Sequence, residues 1–170
     1  ALQPQVPADA SRGGAVLLQV RFADALSVRD VLQGQAGLLA TMEFLEQKPD
    51  ILHFGAFKTE QDMQKPSVIE KNGIRIAFVP IVEHTNGLSL PADTQMRYIK
   101  TTETELINAQ VALAREHADL VAVSVHWGNE NVHTLTQHQR HLTEHLSGLG
   151  VDLIIGHHSH TVQPVEWYTA

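Results

Sequence analysis

Three histidines, His157, His158 and His160, fall within four positions in "GHHSH", directly after the apolar run "VDLII". A fourth, His126, closes a second apolar run, "DLVAVSVHW". Neutral imidazole is the commonest side-chain ligand of transition metals and suits Zn, Fe, Mn or Co better than Ca. Clustered imidazoles of this kind point to a metal or phosphate site. The chain holds 11 histidines, however, so neighbours could arise by chance. Placement has to decide.

The two apolar runs flank "TQHQRHLTEHLSGLG", where Leu142, Leu146 and Leu149 recur at helical spacing and Gly148 and Gly150 end the pattern. This predicts a βαβ unit: a strand over Asp119–His126, a helix near Thr136–Leu146 and a strand over Val151–Gly156. Strands joined by a helical crossover run parallel, so their carboxyl ends share one edge of the sheet. If the strands are neighbours, they lie about 4.8 Å apart. His126 and the His157–His160 cluster then meet where open α/β sheets hold their ligands. Glu130, four residues after His126, is a candidate carboxylate to balance metal charge, with the Trp127-Gly128-Asn129 turn between them. Glu166, after Pro164, reads more simply as a strand residue.

The other histidines have plainer explanations. His133, His138, His141 and His145 lie in or beside a polar helix and form a solvated face, although His141 and His145 at i, i+4 could take a metal adventitiously. His117 falls at a helix carboxyl terminus, where an imidazole complements the dipole. His53, in a short apolar run, suits a core position. His84, in "VEHTNG", fits a site edge and a plain loop equally well.

The preceding elements support the same class. Ala15–Val20 predicts a short strand, and Leu38, Leu39, Met42 and Leu45 predict a helix from Ala36. Asp50–Ala56 predicts a short buried strand closed by Gly55. "SVIEKNGIRIAFVPIV" predicts a hairpin, because β-branched runs flank Asn72-Gly73, the preferred pair for a type I′ turn. A helix follows from about Thr102 to His117, with Thr102 and Glu105 at capping-box spacing. Alternating strands and helices after a hairpin make an α/β fold. No repeat or internal boundary appears; residues 1–14 are expected to form a mobile leader and residues 15–170 a single domain.

Composition removes several functions. With 12 Lys+Arg against 19 Asp+Glu, the net charge is -7, which disfavours nucleic acid as a partner. No cysteine is present, so thiolate metal sites and Cys nucleophiles are excluded. No P-loop, dinucleotide fingerprint or nucleophile elbow occurs. No apolar run is long enough to span a bilayer.

"DLVAVSVHWGNE", a Gln-containing helix and "GVDLIIGHHSHTVQPVE" together closely resemble the CapA family of bacterial capsule proteins. This is the poly-γ-glutamate synthesis or PGA capsule family. "GLLATMEFLEQ", "ILHFGA", "KPSVIEKNGIRIAFV" and "EHTNG" follow in the same order, so the likeness runs from about Gly34 to Tyr168. The resemblance implies a four-layer α/β/β/α sandwich of the calcineurin-like metallophosphatase type, incomplete in this chain. It implies a site with two divalent ions (Mn, Fe or Zn), held by His126, His158 and His160. His157 or Glu130 would then orient water or substrate, and either His157 or His158 could pair with His160.

The resemblance further implies a phosphoesterase-type reaction and an extracytoplasmic, cell-surface location, with anchoring through a segment outside this chain. Expected partners are the capsule polymer or a phosphoester substrate, and membrane components of the capsule synthase. The family's Gly-Asp and Asn-Leu-Glu motifs have no counterpart here. Its Asn-Asn-His loop, expected between a strand at "VRDVL" and the helix at "AGLLATMEFLEQ", is also missing, since Leu32 runs directly into Gln33. The chain thus carries the later half of the expected site. A non-catalytic accessory subunit that binds the polymer or its synthase is the alternative, and a His-rich metal buffer is a third.

Overall fold

A hairpin followed by two helical crossovers builds the sheet that carries the histidines. The computed structural model describes residues 28–48, 50–85 and 89–168. Within them the order is α1 (Val28–Glu46), a 3-10 helix (Glu60–Gln64), β1 (Ser67–Lys71), β2 (Ile74–Val82), α2 (Thr104–His117), β3 (Leu120–His126), α3 (Gln137–Gly148) and β4 (Leu153–His157). These residues form one four-stranded sheet in the order β1-β2-β3-β4. The fold is mixed α/β, as expected. The predicted strand at Ala15–Val20 and the leader lie outside the described residues.

β1 and β2 are antiparallel, and their turn has φ 54° at Asn72 and 78° at Gly73. A type I′ turn needs both central residues in this left-handed region, which Asn tolerates and Gly enters freely. β2 pairs with β3, and β3 with β4, in parallel. Because side chains alternate across a strand, Ala77, Val79 and Ile81 of β2 share one face with Val121, Val123 and Val125 of β3. That face meets Ile107, Val111 and Ala114 of α2 and Leu142 and Leu146 of α3 in one buried cluster. The helices therefore cover one side of the sheet and fix the height of the strand ends.

The opposite face is less enclosed. Phe78 is buried there under Phe54, whose ring stacks on it at 4.9 Å and 18°. Ile74, Leu120 and Leu153, on the same face by register, remain 50%, 40% and 53% exposed.

Three local expectations are corrected. Asp50–Ala56 is not a strand: Ile51 and Leu52 are exposed, and the run lays Phe54 over the sheet instead of joining it. Its one ladder-like contact comes at its end, where Phe57 and Arg97 exchange backbone hydrogen bonds of 2.7 and 2.9 Å. Second, "VRDVL" is the opening of α1 and not a strand, so the helix passes unbroken across Leu32–Gln33. In the sequence Val28, Leu32, Ala36 and Leu39 keep a 3–4 residue apolar spacing across Leu32–Gln33, which favours one longer helix.

Third, α2 begins at Thr104 with Glu103 as N-cap and no side-chain cap bond, so the Thr102–Glu105 box does not form. Glu103 is drawn back instead to the Lys100 N–H, at 2.8 Å, and to Arg97, at 3.3 Å. The capping box the sequence does support is at α3. There the Thr136 hydroxyl accepts from Gln139 N–H at 3.1 Å, and Gln139 Oε1 accepts from Thr136 N–H at 2.9 Å.

Candidate metal centre

Three parallel strands end side by side, and each delivers an imidazole. His126 is the last residue of β3 and His157 the last of β4, and their Cα positions are register partners. His84 lies two residues beyond β2. The ends are tied across the edge: Glu83 N–H donates to the His126 carbonyl at 2.8 Å, and Trp127 N–H to the His157 carbonyl at 3.3 Å. Trp127 is buried with its indole against β4, where a β-carbon at Gly156 would stand 2.6 Å from Nε1. Only the absence of a side chain at Gly156 allows that approach.

His157 and His158 part at the strand end. His157 keeps the strand alternation and its Nε2 meets Ser124 Oγ at 2.9 Å on the sheet surface. His158 takes φ 86°, which swings its ring off the sheet and over the edge. A non-glycine residue held in the left-handed region is strained, and such strain gathers at functional sites. The His158 ring lies 4.5 Å from His126, 5.3 Å from His84 and 6.3 Å from His160, between centroids. His160, also left-handed at φ 54°, has Nε2 4.0 Å from Glu130 Oε1.

The structure thus brings His126, His158, His160 and Glu130 together, sets His157 beside them on the sheet, and adds His84. His145, by contrast, is engaged with Asn108 at 2.7 Å, and His117 with the Leu113 carbonyl at 2.9 Å.

Glu83 was not anticipated from the sequence. Its Oε2 accepts from Gly128 N–H at 2.8 Å and stands 3.6 Å from His84 Nε2. Its sequence signal was simply a carboxylate directly after an apolar strand, on the same edge as the histidines. Gly128, at φ 83°, makes the turn that presents its N–H to Glu83.

Burial, and then the nearby charge of His84, push the His158 imidazole below its ordinary value of 6.5, against the opposing pull of Glu130. Both leading causes disfavour imidazolium and keep the ring neutral, the form that binds a metal. The unfolded chain therefore binds the proton more readily. This contribution to stability is fully present above pH 6.5 and is lost as pH falls toward the lower folded value. In metal-free protein, the His158 ring resonances are expected to titrate with a midpoint below 6.5. A midpoint at or above that value contradicts the assignment.

Four imidazoles and two carboxylates form a donor set suited in type to divalent transition ions. Among the described residues, no group of three His, Cys, Asp or Glu side chains is arranged to hold an ion as it stands. The fit is one of donor chemistry and neighbourhood alone.

Comparison with known proteins adds a family context. Residues 32–170 match the family described as "Bacterial capsule synthesis protein PGA_cap". The chain is 31% identical over 136 residues to the "PGA biosynthesis protein CapA" of Bacillus subtilis (strain 168), covering 79% of this chain and 35% of that protein. It is 26% identical over 123 residues to the "Capsule biosynthesis protein CapA" of Bacillus anthracis, covering 70% of this chain and 30% of the relative. The chain spans about a third of the length of these curated relatives.

Proposed function

The chain belongs to the bacterial capsule synthesis protein family PGA_cap, and on that ground we propose that it serves poly-γ-glutamate-type capsule biosynthesis through a metallophosphoesterase-like site. The observation that carries the reading is the His158 ring, which leaves the sheet at φ 86° and meets both His126 and His84. In this proposal His126, His158 and His160 hold divalent metal (Mn, Fe or Zn), with His84 as a further donor. Bound divalent ions supply Lewis acidity, which polarises a phosphoryl group and makes water more acidic. Glu130 beside His160, or His157, orients the attacking water or the substrate. Glu83, held by Gly128 N–H, keeps the β2 end against the turn after β3.

The exposed apolar residues Ile74, Leu120 and Leu153 suit packing by a second sheet, as a four-layer α/β/β/α sandwich requires. The proposed setting is extracytoplasmic, at the cell surface, with capsule polymer or a phosphoester as substrate and the capsule synthase as partner. No helix among the described residues is long and apolar enough to cross a membrane, so anchoring would fall to another segment. With a net charge of -7, the surface does not favour simple electrostatic capture of an anionic polymer, which leaves recognition to bound cations. The open arrangement of donors keeps a second reading in play: a non-catalytic accessory subunit that binds the polymer or its synthase.

Elemental analysis separates the two. The protein is expected to carry near-stoichiometric metal, and His126→Ala and His160→Ala to lose it together with phosphodiester hydrolysis. A metal-free protein that still restores capsule in cells overturns the enzymatic reading and leaves the accessory role.

A further inference from the structure

The loops that carry Glu130 and His160 are joined to α3 through one buried amide. Gln139 is 0% exposed, and a buried primary amide needs partners at both ends. Its Oε1 accepts from the Thr136 backbone N–H at 2.9 Å. A backbone N–H can only donate, so this contact fixes which way the amide points. Gln139 Nε2 then donates to Gln163 Oε1 at 2.9 Å, which orients the second amide in turn. Gln163 Nε2 donates to the Val132 carbonyl at 2.9 Å.

The relay reaches both sides of the candidate site. Val132 stands two residues after Glu130, and Gln163 three after His160. The loops are stitched again by Asn131 N–H to the Ser159 carbonyl at 2.7 Å and by the Thr161 hydroxyl to the Val132 carbonyl at 3.2 Å. Ser159 itself is buried between His158 and His160. On the other flank Gly128 lies flush on Gln139, where a β-carbon would stand 2.8 Å from Oε1. Gln139 therefore touches the turn after β3, the start of α3 and, through Gln163, the loop after β4.

We propose that Gln139 is a positioning residue, whose relay through Gln163 to Val132 sets Glu130 against His160 and holds the turn that presents His158. The proposal rests on the metal-site reading above. The chemistry demands an amide: Thr136 supplies a donor and Gln163 presents an acceptor, so the residue between must accept at one end and donate at the other. An ionised Glu would meet Thr136 but leave Gln163 Oε1 facing a carboxylate. Leu would satisfy neither.

The test compares Gln139→Leu, Gln163→Leu, the double variant and Asn108→Ala, by Mn2+ and Zn2+ titration calorimetry and by NMR of the metal-free protein. Each glutamine variant is expected to weaken metal binding about 10–100-fold, as loss of a partner outside the ligand shell does. The double variant should be no weaker than the worse single one, because both cut one relay. Asn108→Ala, which removes the 2.7 Å contact to His145 between α2 and α3, should lower the melting temperature and leave metal affinity unchanged. In metal-free Gln163→Leu, Asn131 amide exchange should rise about tenfold or more as the stitched loops open, and the His160 ring resonances should shift.

Gln163 is half-buried and outside any helix, so its variant carries the test should Gln139→Leu not fold. Folded Gln163→Leu with native metal affinity and native Asn131 exchange overturns the proposal. A native protein that takes up neither metal defeats the metal-site reading instead, and the Asn131 exchange and His160 resonances then decide the positioning role alone.

Discussion

Replacing His158 by alanine is expected to abolish metal binding while leaving the fold intact. Its ring has centroid contacts to His84, His126 and His160 alike. Removing it separates the β2, β3 and β4 contributions at a stroke, so affinity should fall by more than the about 10–100-fold that an outer partner costs. Stability should hold. The residue is half-buried and belongs to neither apolar core cluster, and alanine keeps the backbone at φ 86° with no added β-carbon. Calorimetric titration with Mn2+ and Zn2+ beside a thermal melt reads both quantities. Retention of native affinity in folded His158→Ala removes this residue from the centre and with it the proposed ligand set.

Gly128→Ala is expected to cause a large loss of stability. The residue sits at φ 83°, where a side chain costs about 1–2 kcal/mol. Its β-carbon would also stand 2.8 to 2.9 Å from three atoms of the Gln139 amide. That amide cannot simply swing aside, because it is 0% exposed and hydrogen-bonded at both ends. Overpacking of this kind adds about 1–3 kcal/mol, for a total of about 2–5 kcal/mol against a typical stability of about 5–15 kcal/mol. At about 2–4 °C per kcal/mol for a chain of this size, the melting temperature should drop by roughly 4–20 °C. A melt within about 2 °C of the native protein would show that neither the backbone conformation nor the Gln139 contact matters there.

Local signals carried the hairpin, the two crossover helices and the three strand ends. Asn72-Gly73 demands a tight turn by its own backbone preferences, and the leucines of α3 show their period without help from the rest of the chain. The same signals misled at Asp50–Ala56, because an apolar run looks alike whether it pairs in a sheet or lies across one. Which occurs depends on a partner distant in sequence, here Phe78 beneath Phe54. At α2 the capping-box spacing of Thr102 and Glu105 was present, but Arg97 and Lys100 hold Glu103 and the helix starts later.

The sequence by itself determined that His126 and the His157–His160 cluster share an edge. Parallel strands joined by a helix have no other arrangement of their carboxyl ends. Only the tertiary structure decided which rings meet. Strand alternation turns His157 onto Ser124, while one left-handed residue sends His158 toward His126 and His84. Glu83 and Gly128, 45 residues apart, and Gln139 and Gln163, 24 apart, are joined by single hydrogen bonds. Topology is written in period and turn chemistry, which are local. Side-chain direction past a strand end follows from φ and from contacts across the sheet, and no window of sequence contains those.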